Sequence, residues 1–229
     1  MSVARETKDK LYTQFARLGQ AISSPKRLEL LDLLCQSEKT VETLAGQASM
    51  SVANTSRHLQ VLRTARLVDG NKEGVFVYYR LANSQVCDFF RGLRKLAENR
   101  IAEIDRIIAD YFDASPELHP IDRKNLIRRA KSGEVVILDV RPDDEYTASH
   151  LPFAKSVPLS RLKKWLKELS PGAEVVAYCR GPYCVLAQEA VAFLRSKGIM
   201  ATRLEDGVIE WQEAGLPVET GPVRTKLVH

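Results

Sequence analysis

Residues 113–121 read DASPELHPI, with two prolines and no apolar periodicity, and the chain changes character across them. Before this stretch, apolar residues recur at steps of three and four. After it, the short β-rich runs VVILDV (135–140), EVVAYC (174–179) and MATRLE (200–205) alternate with helical patterns. A 3.6-residue period and a 2-residue period belong to different layers. The 229 residues leave room for two domains of about 100 each. We therefore expect a mainly α domain over 1–112, a linker over 113–120, and an α/β domain with a largely parallel sheet over 121–225. No segment approaches the roughly 18 apolar residues of a membrane span. The opening MSVARETKDKLYTQF has no signal-peptide core, so the chain reads as cytoplasmic with no membrane partner. In that reducing setting, four cysteines argue for reactive thiols or quiet core residues rather than a disulfide scaffold.

The first half carries most of the net positive charge. Residues 1–110 hold 17 Lys and Arg against 13 Asp and Glu, whereas the remainder holds 17 against 16. Within 51–80, five basic residues (Arg57, Arg63, Arg66, Lys72, Arg80) face two acidic ones (Asp69, Glu73), a balance suited to an anionic partner. Ser24-Pro25 marks a helix start. In the helix that follows, Leu28, Leu31 and Cys35 share one face and Glu29, Asp32 and Gln36 the other. Two further helices, 41–47 and about 51–64, meet at a tight turn over Ala48-Ser49-Met50. This is helix-turn-helix spacing, which sends the second helix into the major groove. Ser51 can cap that helix, and Val52, Leu59 and Leu62 supply its buried side. Ser51, Asn54, Thr55, Arg57, His58 and Gln60 point outward. Asn and Gln can read adenine and Arg guanine, while Ser and Thr reach bases or phosphates. LVDGNKEGVFVYYRL (67–81) then reads as a hairpin. Its turn is Asn71-Lys72-Glu73-Gly74, Val75, Val77 and Tyr79 alternate along one strand, and Lys72 sits at the tip near phosphate. From Asn83 to 112, apolar residues at 86, 90, 93, 97, 101, 104, 108 and 111 trace a near-heptad seam. It is longer than a small domain can cover and calls for a partner helix.

The pieces SPKRLELLDLL, TVETLA, SVANTSRHLQVLRTARLV and GVFVYYRL resemble an ArsR-type winged-helix repressor over residues 20–82. The resemblance implies a homodimer, here through helix 83–112, that binds double-stranded operator DNA and leaves it when an inducer binds. Arsenic and cadmium sensors of this type carry a Cys-x-Cys in the helix before the turn. Here that helix is VETLAGQ, and no Cys or His pair has ligand spacing, so no metal site is expected. Some ArsR-type sulfide and persulfide sensors instead use one cysteine from each of the helices that hold Cys35 and Cys87. Their second cysteine tends to lie further along, so both readings stay open: a thiol sensor, or a small core residue at Cys35 beside Leu28 and Leu31.

In the second half, VVAYCRGPYCVLAQEA (175–190) places Cys179 at the end of an apolar run and Cys184 where a helical pattern begins. A thiol at the strand end, Cys179, faces loop amides and the positive end of a helix, which favour the thiolate and lower its pKa by about one unit or more. Three motifs in order resemble a rhodanese domain: ILDVRPDDEYTASHLPFAKSVPLSRL (137–162), VVAYCRGPYCVLAQEAVAFLRSKGI (175–199) and LEDGVIEWQEAGLPVETG (204–221). The resemblance implies that Cys179 is a nucleophile that takes the outer sulfur of a donor as a persulfide. Arg180, Gly181, Pro182, Tyr183 and Cys184 form the surrounding loop, and Asp139 and Arg141 hold it. Four residues separate the two cysteines. That is the sulfurtransferase loop size, shorter than the Cys-x5-Arg loop of related phosphatases and arsenate reductases. Pro182 and Cys184 stand where the common loop has its second glycine and last arginine. The loss of that arginine removes a binding charge for thiosulfate. Cys184 is either a small residue at the helix start, or a second thiol that takes the sulfur from Cys179 or closes a disulfide or polysulfide link with it.

Together the halves read as a DNA-binding transcriptional regulator whose rhodanese domain senses or transfers sulfane sulfur from a donor such as polysulfide or thiosulfate. The alternatives are a rhodanese-type sulfurtransferase whose DNA binding answers to a separate metalloid or redox site, and a metalloregulator binding at Cys35 or Cys87. No cofactor is expected.

Overall fold

The computed structural model describes residues 3–111, 122–170 and 172–222. The expected linker, 113–120, lies outside these residues, as do 121 and 223–225 of the expected second domain. The chain forms two compact units, Met1–Arg100 and Ile101–His229.

In the first unit, α1 (Val3–Ile22) and α2 (Pro25–Gln36) lead into a short β1 (Lys39–Thr40). Then come α3 (Val41–Gln47), α4 (Val52–Thr64), the hairpin β2 (Val68–Glu73) and β3 (Phe76–Leu81), and α5 (Ser84–Glu98). The sheet order is β1-β3-β2, all antiparallel. The core gathers Leu30, Leu31, Leu34, Leu44, Leu59, Leu62, Val68, Tyr79 and Val86, each large apolar side chain contributing roughly 1.5–3 kcal/mol on full burial. Gly70 lies opposite Tyr79, and a Cβ there would stand 3.1 Å from the Tyr79 ring, so the glycine makes room for this core tyrosine.

Four expectations for this unit are corrected. On α2, Leu28 is only half-buried while Leu30, Leu31, Leu33, Leu34 and Gln36 are buried, because the helix is wrapped on several sides. On α4 the buried stripe is Thr55, Leu59 and Leu62 rather than Val52, Leu59 and Leu62. Thr55 can be buried because its hydroxyl donates to the Ser51 carbonyl at 3.0 Å, and Val52 is left exposed. The hairpin turns at Gly74-Val75, where Gly74 has φ of 61°, so Lys72 pairs with Val77 inside the ladder and Val75, 86% exposed, takes the tip. The expected helix over 83–112 is two helices, α5 and α6 (Ala102–Tyr111), interrupted at residues 99–101. The turn begins at Asn99, a weak helix former, and apolar spacing runs across it unchanged. The sequence reading assigned no helix to 3–22. The α1 found there exposes Leu11, Tyr12, Phe15 and Leu18.

In the second unit, α6 and α7 (Arg123–Ser132) precede β4 (Val135–Asp139), α8 (Asp143–Ala148), β5 (Lys155–Ser156) and a single helical turn, α9 (Leu162–Trp165). Next come β6 (Glu174–Tyr178), α10 (Val185–Arg195), β7 (Ala201–Arg203) and α11 (Val208–Glu213). The four strands are parallel in the order β5-β4-β6-β7, as the alternation of strand and helix requires. Alternate residues of β6 serve opposite cores. Val175 and Ala177, with Cys179 just beyond the strand, pack with Ala187, Ala190 and Leu194 of α10. Val176 and Tyr178 pack with Ile137, Leu204 and Trp211. Among the described residues no helix is long and apolar enough to cross a membrane, and none of their His, Cys, Asp and Glu side chains cluster in threes to hold a metal ion.

Candidate functional site

Two candidate sites emerge, one in each unit. In the first, Ser51 caps α4, its hydroxyl accepting from Asn54 N at 3.2 Å. Ser51, Asn54, Arg57 and Gln60 are exposed, and His58 is half-buried. Thr55 is removed from the expected reading face, because it is fully buried beneath Ser51. Gln60 also reaches the wing, with its amide 3.5 Å from the Tyr79 hydroxyl. The wing presents exposed Lys72 and, beyond it, the apolar Val75 and Phe76.

The same unit holds a thiol pair. Cys35 in the last turn of α2 and Cys87 in the first turn of α5 form a disulfide, with Cα atoms 5.6 Å apart across 52 residues of sequence. This corrects both the expectation of free thiols and the reading of Cys35 as an isolated core residue. α5 packs on α2 through Val86, which brings the next residue, Cys87, over the end of α2.

The second site is the loop from Cys179 to Cys184, between β6 and α10. Cys179 is 2% exposed and Cys184 is half-buried. Cys184 is the N-cap of α10. The Cys179 thiol donates to the Cys184 carbonyl at 3.3 Å, and the two thiols also hydrogen-bond to each other. The amides of Gly181 and Ala187 face the Cys179 sulfur, and those of Arg180 and Leu186 face the Cys184 sulfur. The expected lowering at Cys179 is therefore not found. Burial, then the hydrogen bond and charge of Cys184, push Cys179 well up. Cys184 is the lowered thiol, held at about 7 by the Cys179 hydrogen bond, against the cost of burial, and by the Arg180 amide and guanidinium. Amides, helix terminus and guanidinium thus act on the pair, and the charge settles on the sulfur nearer water.

Asp139 and Arg141 are both buried and paired. Arg141 Nη2 lies 2.6 Å from Asp139 Oδ2 and 2.7 Å from the Ser149 carbonyl. Tyr178 donates to Asp139 at 2.6 Å, and burial followed by the Asp139 charge keeps its hydroxyl protonated. This network braces the residue before Cys179 and the ends of β4 and β6. The loop itself is gripped by groups that sequence reasoning did not single out. Glu145, fully buried on α8, holds Arg180 through contacts of 2.8–3.1 Å. Arg203, at the end of β7, donates to the Pro182 carbonyl at 2.8 Å. Gly207 comes so close that a Cβ there would stand 2.4 Å from the Arg180 carbonyl carbon. Glu145 and Gly207 lie inside the quoted motifs, in the Glu-Tyr and Gly-x-x-x-Trp positions, which was the available signal. Arg203 carried none. Tyr183 is exposed at the rim.

Residues 24–69 match the family model described as bacterial regulatory protein, arsR family, and residues 122–214 match that of the rhodanese-like domain. The HTH-type transcriptional regulator Rv0324 of Mycobacterium tuberculosis is 41% identical over 221 residues, spanning 96% of this chain and 97% of its own. A sulfurtransferase of Allochromatium vinosum is 28% identical across 44% of this chain and 94% of that protein. Among solved structures, a homodimeric winged helix-turn-helix DNA-binding domain from Mycobacterium bovis is 36% identical, covers 41% of this chain and 87% of that one, and superposes with a TM-score of 0.40.

Proposed function

The chain belongs to the ArsR family of bacterial transcriptional regulators and carries a rhodanese-like domain, and from that premise we propose that its operator binding is set by sulfane sulfur arriving at the Cys179–Cys184 loop. The observation that carries this reading is the loop itself. Two unbridged thiols lie in hydrogen-bonding contact under backbone amides at a helix N-terminus, and their surroundings lower the Cys184 thiol to about 7, within reach of the thiolate form near neutral pH. Such a thiolate attacks the terminal sulfur of a polysulfide, and the amides stabilise the persulfide that results. Thiosulfate is the poorer donor, because the loop ends in Cys184 and Arg180 is engaged by Glu145.

The DNA-reading element is α4, with Asn54, Arg57 and Gln60 toward bases and Ser51, His58 and Lys72 toward phosphates. The protein acts as a homodimer. Leu11, Tyr12, Phe15 and Leu18 on α1, with Phe89 and Leu96 on α5, leave more apolar surface exposed than a small monomeric domain tolerates. A second copy that covers these faces sets two recognition helices at the spacing of a palindromic operator.

The test is operator affinity at one fixed salt concentration, for wild type and a Cys179→Ser/Cys184→Ser variant, each with and without polysulfide. A response confined to wild type supports the reading, and a response shared by both removes it. One observation favours a second reading. The Cys35–Cys87 bridge ties α2 to α5 beside the reading helix, so a redox input could act within the DNA-binding unit while the rhodanese domain works separately as a sulfurtransferase. The shared response would select that alternative.

A further inference from the structure

The two loop thiols differ in access. Cys184, the N-cap of α10, is half-buried, whereas Cys179 is 2% exposed and packed with Val175, Ala177 and Ala187. A donor that approaches from water meets Cys184 first. The sulfur that next comes into reach is that of Cys179, which already hydrogen-bonds to Cys184. Arg180, a cation that could hold a bound anion in storage, is drawn onto Glu145.

We infer that Cys184 is the entry nucleophile for sulfane sulfur and that Cys179 is a resolving thiol, so the loop converts each captured sulfur atom into one Cys179–Cys184 disulfide and one hydrosulfide ion. This rests on the loop taking up sulfane sulfur, as proposed above. In the first step the Cys184 thiolate attacks the terminal sulfur of an inorganic or low-molecular-weight polysulfide. A Cys184 Sγ–S bond forms, the donor's S–S bond breaks, and its electron pair leaves with the shortened donor. Loss of the terminal proton to water leaves Cys184–S–S⁻. In the second step Cys179 attacks Cys184 Sγ. The Sγ–Sγ bond forms, and the departing sulfur takes the electron pair of the broken bond and the Cys179 proton, leaving as HS⁻. The sulfane sulfur gains two electrons and the two thiols together lose two, so no other oxidant is needed. A dithiol reductant resets the loop.

The ordinary rhodanese order would make the buried Cys179 the carrier and leave its persulfide for an outside acceptor. The two orders separate by mass. Reduced full-length protein is treated with excess inorganic polysulfide, digested under conditions that block exchange, and analysed peptide by peptide, so that the Cys35–Cys87 bond is not counted. We expect wild type to give the 179–184 disulfide, about 2 Da lighter than the dithiol, with about one equivalent of sulfide released per chain. Cys179→Ser should trap a persulfide on Cys184, a gain of about 32 Da. Cys184→Ser should take up sulfur at least about tenfold more slowly. The wild-type arm decides the resolving step without any variant, and Cys179→Ala repeats the trap. A stable persulfide on wild type without the 179–184 bond overturns the inference while leaving sulfur uptake, and so the proposed function, intact. A persulfide trapped on Cys179 in Cys184→Ser, with none on Cys184 in Cys179→Ser, overturns the assignment of Cys184. Uptake by no protein overturns both.

Discussion

Cys35–Cys87 and Cys179–Cys184 are built from the same side chain and behave oppositely. The first pair is 52 residues apart in sequence, brought together by two packed helices and bridged. The second is held within one strand-to-helix loop and unbridged. The first pair joins two helices of one core, and its chemistry is set by where those helices pack. The second is surrounded by groups that matter to charge: four backbone amides, a helix N-terminus and the Arg180–Glu145 pair. Pairing distance alone does not make a thiol reactive. What distinguishes the loop is that its surroundings stabilise an anion, whereas the α2–α5 bridge constrains the unfolded chain.

The largest effect that would test this contrast falls on the loop's support. Glu145→Ala leaves Arg180 as a half-buried charge without its main partner, and should cost the second unit about 3–5 kcal/mol. It should also raise the Cys184 pKa, as Arg180 loses its fixed position. Chemical denaturation followed through Trp165 and Trp211 fluorescence measures the first effect, and unchanged stability would mean that the ion pair is not what holds the loop. Next is the bridge. Reduction, or Cys35→Ser with Cys87→Ser, should destabilise the first unit by about 2–4 kcal/mol, given the loop it closes. The midpoint of the second unit should not move. If both units shift together, they do not unfold independently.

A smaller effect lies in pH. Because the lowered thiol is Cys184, at about 7, its alkylation rate should rise with pH by about tenfold per unit below 7 and level off above it. Cys179 should label far more slowly throughout. A reversed order of labelling would undo the distinction between outer and inner thiol. Smallest is Lys72→Ala, expected to reduce the slope of log K against log salt for operator binding by about 0.9, with no change in sequence preference. No change in slope would place the wing away from phosphate.

The parts of this architecture that were legible in the sequence are those where one period governs a whole element. A strand forms within each of 135–140, 174–179 and 200–205, and a helix within each of 41–47 and 51–64, because alternation and 3.6-residue recurrence reflect how each element buries itself. The failures share a different cause. Thr55 displaced Val52 because a hydroxyl bonded to its own helix satisfies itself in a core, which a scale of apolarity does not register. The hairpin turned at Gly74-Val75 rather than 71–74 because glycine's positive φ outweighs the polarity of Asn71 and Lys72. The break after Glu98 leaves the apolar steps intact and so cannot show in them. At the loop, the sequence pointed to both thiols but put the charge on Cys179 rather than on Cys184. Where the charge sits depends on relative burial and on Glu145, more than thirty residues away in the chain.

The strand β6 has one more consequence. Because its residues alternate between two cores, Tyr178 and Cys179 are committed to opposite sides of the sheet by parity alone. A single-residue insertion or deletion within 174–178 would exchange their addresses. The phenol would move under the amides of α10, and the sulfur would move beside Asp139 and Arg141, with no donor able to replace the tyrosine hydroxyl. Any length change tolerated here should therefore come in twos, and the strand serves as an index that keeps the thiol and the buried ion pair out of each other's place.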